Sequence, residues 1–413
     1  MHIMERPKIL APAGSFESLE AAIASGADAI YFGVEQLNMR TRSSRSFTIE
    51  DIAEVAERCY SRNVRAYITL NTVMYEHDMQ LLRTILQEVK KARIDAVIAA
   101  DFAVIEYCNR ENIPLHISTQ ANVSNIESVQ FFSKFADVIV LARELTLQQV
   151  STITKEIKRK NITGPSGKLV QIEIFVHGAL CVAVSGKCYM SLHTQNASAN
   201  RGACVQNCRR PYIVTDAETG EQLMVDNEYI MSPKDLCTIE ILDQVVAAGV
   251  NVLKIEGRTK GPDYVQTVCS SYKKVVDALM DGTYTSELAA SLKEEMRKVY
   301  NRDFWEGYYL GRKLGEWTSH PGSAAQEKKI YIGKGVKYFP KIGVGEFVLE
   351  TGSLKIGDTL MVTGPKFGVV KEKIETLVVN GESAELAQKG DSITFPFFSK
   401  VTSADKLYKV VDA

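Results

Sequence analysis

The sequence predicts an α/β chain: a (β/α)8 TIM-like barrel with a cysteine-bearing insert after strand 7, followed by a small C-terminal β-barrel domain. Three observations carry this. Eight short apolar runs alternate with helical patterns through residue 258. Polar residues recur at the ends of those runs, where a barrel gathers them at one mouth. One connection, between the seventh and eighth runs, is far longer than a normal crossover. Nearly continuous hydrophobicity is what parallel strands covered on both faces require. A doubly wound open sheet is the alternative, and the count of eight favours the barrel.

The strands are expected at 9–14 (ILAPAG), 29–34 (AIYFGV), 65–71 (RAYITLN), 96–101 (AVIAAD), 114–120 (PLHISTQ), 138–144 (VIVLARE), 171–178 (QIEIFVHG) and 251–258 (NVLKIEGR). Ser15 is placed to cap the first helix, with Leu19, Ala22 and Ile23 on one face and Gly26 ending it. Thr48 and Asp51 form a capping box before a helix whose Ile52, Val55, Ala56 and Cys59 share a face, so Cys59 reads as core. The strand ends carry Asn71, Asp101, Gln120, Arg143, Glu144, His177, Lys254, Glu256 and Arg258. The barrel is expected over 1–262, including an insert at 179–250. Within the insert PYIVTDAETGEQLMVDNEYIM reads as a hairpin and MSPKDLCTIEILDQVVAAG as a capped helix. A helical segment (263–317), a linker (318–327) and glycine-punctuated strands (328–413) complete the chain. The stretch GVGEFVLETGSLKIGDTLMVTGP resembles the second-domain barrel of translation GTPases such as elongation factor Tu, which implies an RNA-contacting or packing module.

Composition sets limits. Hydrophobic content of 45% and charged content of 24% place the chain among globular proteins, and 413 residues imply two or three domains. A net charge of -1 gives no global attraction to nucleic acid, leaving local basic patches as the route to it. No apolar run is long enough to span a membrane, and MHIMERPKILAPAG lacks a signal-peptide core, so a cytoplasmic location is expected. Cytosolic thiols stay reduced, and clustered ones bind metal or do redox chemistry. Four of the eight cysteines lie in CVAVSGKCYMSLHTQNASANRGACVQNC, spaced Cys181-x6-Cys188-x15-Cys204-x3-Cys208. Four thiolates suit zinc or an iron–sulfur cluster. Only Cys204/Cys208 comes near a zinc knuckle, so the unequal gaps favour a cluster, with Gly186 and Gly202 letting the backbone bend around it. Cys237, further along the insert, is an alternative ligand or a substrate neighbour.

The run EIFVHGALCVAVSGKCYMS (Glu173–Ser191) closely resembles the signature of the collagenase-like peptidase family of undefined catalytic type. The LAPAGS opening, the KIEGR strand and the C-terminal β-domain extend that resemblance over nearly the whole chain. It implies two activities. One is protease or collagenase. The other belongs to members that bind a 4Fe-4S cluster through the same cysteine pattern and hydroxylate RNA or a quinone precursor. The branch with the extra C-terminal domain resembles prephenate-dependent tRNA uridine hydroxylases, which make 5-hydroxyuridine at the wobble position. The resemblance implies Cys181, Cys188, Cys204 and Cys208 as cluster ligands, with tRNA and prephenate as substrates and a homologous protein as a conceivable partner.

Arginine forks suit the carboxylates of prephenate. NMRTRSSR offers Arg40, Arg42 and Arg45, and KIEGR offers Arg258; Arg40 and Arg258 are the favoured pair. Asn71, Gln120 and Lys254 would line the pocket, and Glu256 or His177 would transfer protons. Arg201, Arg209 and Arg210 lie beside the cysteines for RNA, with Tyr189 and Tyr212 to stack on a flipped-out base. A peptidase needs a nucleophile and a base. The six histidines (His2, His77, His116, His177, His193 and His320) form no H-E-x-x-H motif, leaving a Cys188–His177 pair. A non-catalytic RNA-binding or partner subunit is the third reading.

Overall fold

The structure is a computed structural model that describes residues 5–40, 47–223, 229, 231–320 and 322–413. Seven parallel strands follow in order: β1 (Lys8–Pro12), β2 (Ala29–Phe32), β3 (Arg65–Leu70), β4 (Ala96–Ala99), β5 (Leu115–Ile117), β6 (Val138–Val140) and β7 (Gln171–Gly178). After the insert, with its strands β8 (Val214–Thr215), β9 (Gln222–Leu223) and β10 (Asp235–Cys237), β11 (Val252–Ile255) pairs in parallel with both β7 and β1. Eight parallel strands thus close into the expected barrel.

Helices α1 (Phe16–Ala24), α2 (Asp51–Tyr60), α3 (Met79–Lys91), α4 (Phe102–Arg110), α5 (Ile126–Phe132) and α6 (Leu147–Lys160) alternate with the first seven strands. Their starts follow local chemistry. The Ser18 amide donates to Ser15 Oγ at 3.3 Å, and Thr48 N donates to Asp51 Oδ2 at 2.7 Å. Asp101 is a helix cap: Ala103 N donates to it at 2.9 Å, and its other oxygen receives Met74 N at 2.9 Å. Cys59 is fully buried in the shell between strands and helices. The barrel interior is a separate layer that includes Leu10, Tyr31, Tyr67, Ile98, Val138 and Val252.

The insert carries α7 (Met190–Gln195) and the expected hairpin β8–β9. Its turn is held by Asp216, whose Oδ1 receives the amides of Glu218 and Thr219. One expectation is corrected. The stretch before strand eight is not a single capped helix: Asp235–Cys237 is strand β10, antiparallel to β7 and parallel to β12 (Phe304–Trp305), and only then does α8 (Leu242–Ala247) begin. Next, α9 (Pro262–Asp281) packs on α1 and β1 as the last barrel helix, and α10 (Ser286–Arg297) packs on it.

The C-terminal region has β13 (Glu327–Phe339), β14 (Val344–Leu349), β15 (Ser353–Lys355), β16 (Thr359–Gly364), β17 (Gly368–Lys373), β18 (Val378–Val379), β19 (Glu382–Ser383), β20 (Leu386–Gln388), β21 (Ser392–Pro396) and β22 (Lys406–Asp412). Eight of these make an antiparallel sheet in the order β17-β16-β22-β13-β14-β21-β18-β19 around a core that includes Phe347, Leu360, Ile393 and Leu407. It docks on α1, where Ala21 packs against Met361 and Val369. Among the described residues no helix is long and apolar enough to cross a membrane.

Candidate active site at the barrel mouth

The four insert cysteines reach one place. Cys181, Cys188, Cys204 and Cys208 line a cavity of about 160 Å³ at the end of the barrel, together with Arg40, Asn71, Gln120, Lys254, Glu256 and Arg258. Local bonds fix the loops that carry them. Asn122 Nδ2 donates to Ser185 O at 3.0 Å and ties the first loop to the end of β5. Gly186 lies on Gln120: a Cβ there would come within 2.3 Å of Gln120 Oε1, and its φ of +73° is one that L side chains avoid. Val205 N donates to Ser191 Oγ at 3.1 Å. The turn holding Cys208 is pinned by Arg209, which donates to Ser232 Oγ (3.2 Å) and Pro233 O (2.6 Å).

All four thiols are free. Burial raises the Cys208 thiol; Arg209 opposes this, and the nearby Cys181, Cys204 and Cys188 reinforce it. Among the described residues no three metal-binding groups stand at the spacing of a formed metal site. The chemistry of the set nonetheless fits a metal or cluster, because four free sulfur donors line one space, on loops that turn through the left-handed Gly186 and Gly202.

Opposite the thiols lies a basic wall. Arg40 Nη2 donates to Glu256 Oε1 at 2.8 Å. Burial pushes Glu256 up, but the Arg40 charge and hydrogen bond, with Lys260 and Arg143, outweigh it and lower the carboxyl to about 2. Glu256 is therefore an ionised clamp on Arg40 at neutral pH, poorly suited to donating a proton. Its folded value lies below that of an unfolded glutamate, ~4.3. The stability it contributes is thus full above that pH and lost as pH falls through about 2. An NMR titration is expected to show Glu256 still ionised at pH ~4; a midpoint above that would show that the pair with Arg40 does not hold.

Arg258 is 8% exposed, and burial lowers it to about 10. Its Nη1 donates to Asn38 Oδ1 (3.0 Å) and Thr69 Oγ1 (2.7 Å). Among the described residues no carboxylate lies within ion-pair distance of it, and its Nε and Nη2 have no hydrogen-bond partner. Gly14 makes this placement possible: its Cα lies against the Arg258 carbonyl, which an added Cβ would approach to 1.8 Å. Asn71 Oδ1 accepts from Met39 N at 3.3 Å, and Gln120 Oε1 is buried without a partner among the described residues. Lys254 is held deeper, with Nζ 2.6 Å from Glu173 Oε1 and 4.6 Å from the Tyr31 ring centre.

Other candidates are placed elsewhere. His177 does not line the cavity. It is 1% exposed among Tyr264, Tyr272 and Phe304, and burial lowers it to about 3, so it cannot exchange protons with a ligand there. A bulge explains this. Along β7 and β11, Lys254 pairs with Phe175 but Ile255 pairs with His177, so the extra residue Val176 turns His177 to the outer face. Cys237 is buried opposite His177, is raised to about 11 by burial, and also does not line the cavity. Arg201 ion-pairs with Asp78, donates to Val73 O at 3.0 Å and lies 4.1 Å over the Tyr75 ring. It anchors the insert to the loop after β3 and does not face the cavity. Tyr212 packs the insert, its hydroxyl donating to Asn207 O at 2.9 Å, whereas Tyr189 is exposed. Arg42 and Arg45 lie outside the described residues.

Arg143 and Arg302 line the cavity and were not among the binding candidates. Arg143 sits at the end of the sixth strand, a signal the sequence does carry; its Nε is buried without a partner. Arg302 comes from beyond the barrel, 3.6 Å from Asp235, and nothing local marks it.

This chain is similar to several characterised and named proteins. A collagenase of Porphyromonas gingivalis is 52% identical over 402 residues, 97% of either chain. The tRNA hydroxylation protein P1 of Bacillus subtilis is 32% identical over 382 residues, 91% of this chain and 87% of that one. The 23S rRNA 5-hydroxycytidine synthase of Escherichia coli is 33% identical over 386 residues, 92% of this chain but 55% of that longer protein. With relatives aligned along nearly its whole length and a family match across residues 14–319, the chain belongs to peptidase family U32.

Proposed function

We propose that this protein is an RNA-hydroxylating enzyme whose four mouth cysteines hold a 4Fe-4S cluster, acting on the wobble uridine of tRNA with prephenate as co-substrate. One observation carries the reading: four free thiols and a buried guanidinium with no ion pair among the described residues line the same cavity. The relatives named for tRNA hydroxylation and for 5-hydroxycytidine synthesis support it. Forming 5-hydroxyuridine replaces a ring C–H by C–OH, a two-electron oxidation that inserts one oxygen atom, so a co-substrate must supply the oxygen and the electrons must pass through a redox group to an acceptor. A thiolate-held cluster supplies electron transfer when bound.

The chain's own residues then bind and orient. Arg258, which lines this cavity with two nitrogens unpartnered among the described residues, offers one N–H to a carboxylate, and Arg40, fixed by Glu256, offers a second cation beside it. Asn71 and the unpartnered Gln120 Oε1 supply polar contacts to a ligand donor. The insert loops cover the space and exclude water. The C-terminal sheet adds RNA-contacting surface. A cysteine peptidase built on Cys188 and His177 would need the two to meet, and His177 is buried and does not line the cavity.

The test is anaerobic purification with iron, sulfide and zinc assays, together with nucleoside mass spectrometry of tRNA from a deletion strain. The expected result is iron and sulfide in equal amounts, and tRNA lacking 5-hydroxyuridine and nucleosides derived from it. Protein with one zinc and no iron, from a strain whose tRNA modification is normal, would overturn the proposal.

A further inference from the structure

A second cavity, of about 500 Å³, adjoins the first and shares Arg40, Cys204, Gln206 and Arg258 with it. The rest of its polar lining includes Ser15, Ser18, Thr259 and Lys260, and among the described residues no carboxylate lines it. Two helices start at its wall, α1 after Gly14 and Ser15, and the 20-residue α9 after Gly261. The α9 start has no side-chain cap, and Pro262 contributes no N–H. The acid in its first turn, Asp263, is engaged by Lys329 at 2.5 Å.

Helix starts favour anions, but here two side chains define the site. Arg258, more than nine-tenths buried, lines this cavity with its Nε and Nη2 unpartnered among the described residues. Lys260 has no ion pair among the described residues; its Nζ lies 3.0 Å from the centre of the Tyr300 ring, and burial lowers it to about 8. A partly buried space with cations, hydroxyl groups and helix starts, but no acid on its walls, is costly until an anion enters. Ser18 Oγ already donates to Lys260 O at 3.4 Å, which leaves the Ser15 and Thr259 hydroxyls, the compact Lys260 ammonium and the side of the Arg258 guanidinium that meets this cavity to suit a group with several acceptor oxygens.

We propose that this second cavity is a phosphate-binding site. Resting on the RNA reading above, its occupant is the phosphodiester next to the nucleoside that enters the thiol-lined cavity. The shared wall makes this natural, since a nucleoside and its phosphate are adjacent groups of one chain.

The experiment uses the full chain, purified anaerobically in phosphate-free buffer. Inorganic phosphate is titrated while thermal unfolding is followed, and a labelled single-stranded RNA is titrated by anisotropy with and without phosphate. Phosphate is expected to raise the Tm and to compete with the RNA. Lys260→Gln should weaken phosphate binding about tenfold, the loss of one charge-assisted hydrogen bond, and Lys260→Arg should largely restore it. The salt dependence of RNA binding should become shallower by ~0.7 in log–log slope in Lys260→Gln. No phosphate-dependent shift, or an equal one in the folded Lys260→Gln variant, overturns the site. Phosphate binding that depends on Lys260 but does not compete with RNA keeps the phosphate site and overturns RNA as its source. Because the phosphate titration needs neither cluster nor turnover, absence of iron alongside intact phosphate binding would sink the hydroxylase reading alone.

Discussion

Glu173→Leu is expected to destabilise the protein by about 3–5 kcal/mol, the effect of removing one partner from a buried ion pair. Glu173 is fully buried and Lys254 is 4% exposed, with 2.6 Å between Nζ and Oε1. Burial pulls Lys254 below its ordinary value and Glu173 pulls it back. His116 offers no substitute. It sits 4.0 Å from Glu173, but burial, with Lys254 and other cations, lowers it to about 3 and leaves it neutral. Without Glu173 the lysine must stay charged and unpaired or give up its proton, and either outcome is costly. Urea unfolding of the single variant and of Glu173→Leu/Lys254→Met measures this. The double variant should recover much of the loss, since a matched apolar pair avoids both desolvation terms. A single-variant loss under ~1 kcal/mol, typical of an exposed pair, would show that the pair adds nothing.

Cys204→Ala is expected to reduce bound iron and RNA modification together to background, while Cys237→Ala retains both. Two thiols close in sequence to the same insert are thereby separated by geometry alone. Cys204 lines both cavities at the mouth, whereas Cys237 is sealed in β10 with its thiol raised to about 11. Iron assay and nucleoside analysis on the same preparations provide the readout. Full modification by Cys204→Ala would refute the cluster assignment; loss of iron in a folded Cys237→Ala would make the buried thiol a ligand.

The barrel was legible because its strands are covered on both faces and so read as apolar runs, and because α1 announces itself with Ser15; Asp101, expected at the mouth, instead caps α4. The convergence of Asn71, Gln120, Glu256 and Arg258 followed from strand-end position, whereas Arg40 came from the arginine-rich stretch after the second strand. What escaped was set by contacts between distant segments. The three residues of β10 exist as a strand because β7 and β12 receive them, and so short a piece carries no periodicity of its own. Arg201 found Asp78 and Tyr75 across more than a hundred residues. His177 was misplaced by one bulged residue, since a single insertion reverses every later side chain on a strand.

The ladder between β7 and β10 has a consequence for how this molecule tolerates change. Gly178 pairs with Leu236, so the chain leaves and rejoins the barrel at the same rung. Residues 179–235, including all four mouth cysteines, form an excursion whose two ends are fixed side by side. The cost of closing such an excursion rises only slowly with its length. The cysteine loop is therefore a cartridge: it can be lengthened, shortened or exchanged for another ligand set while the eight strands beneath keep their register, so the chemistry at the mouth and the stability of the scaffold are open to change separately.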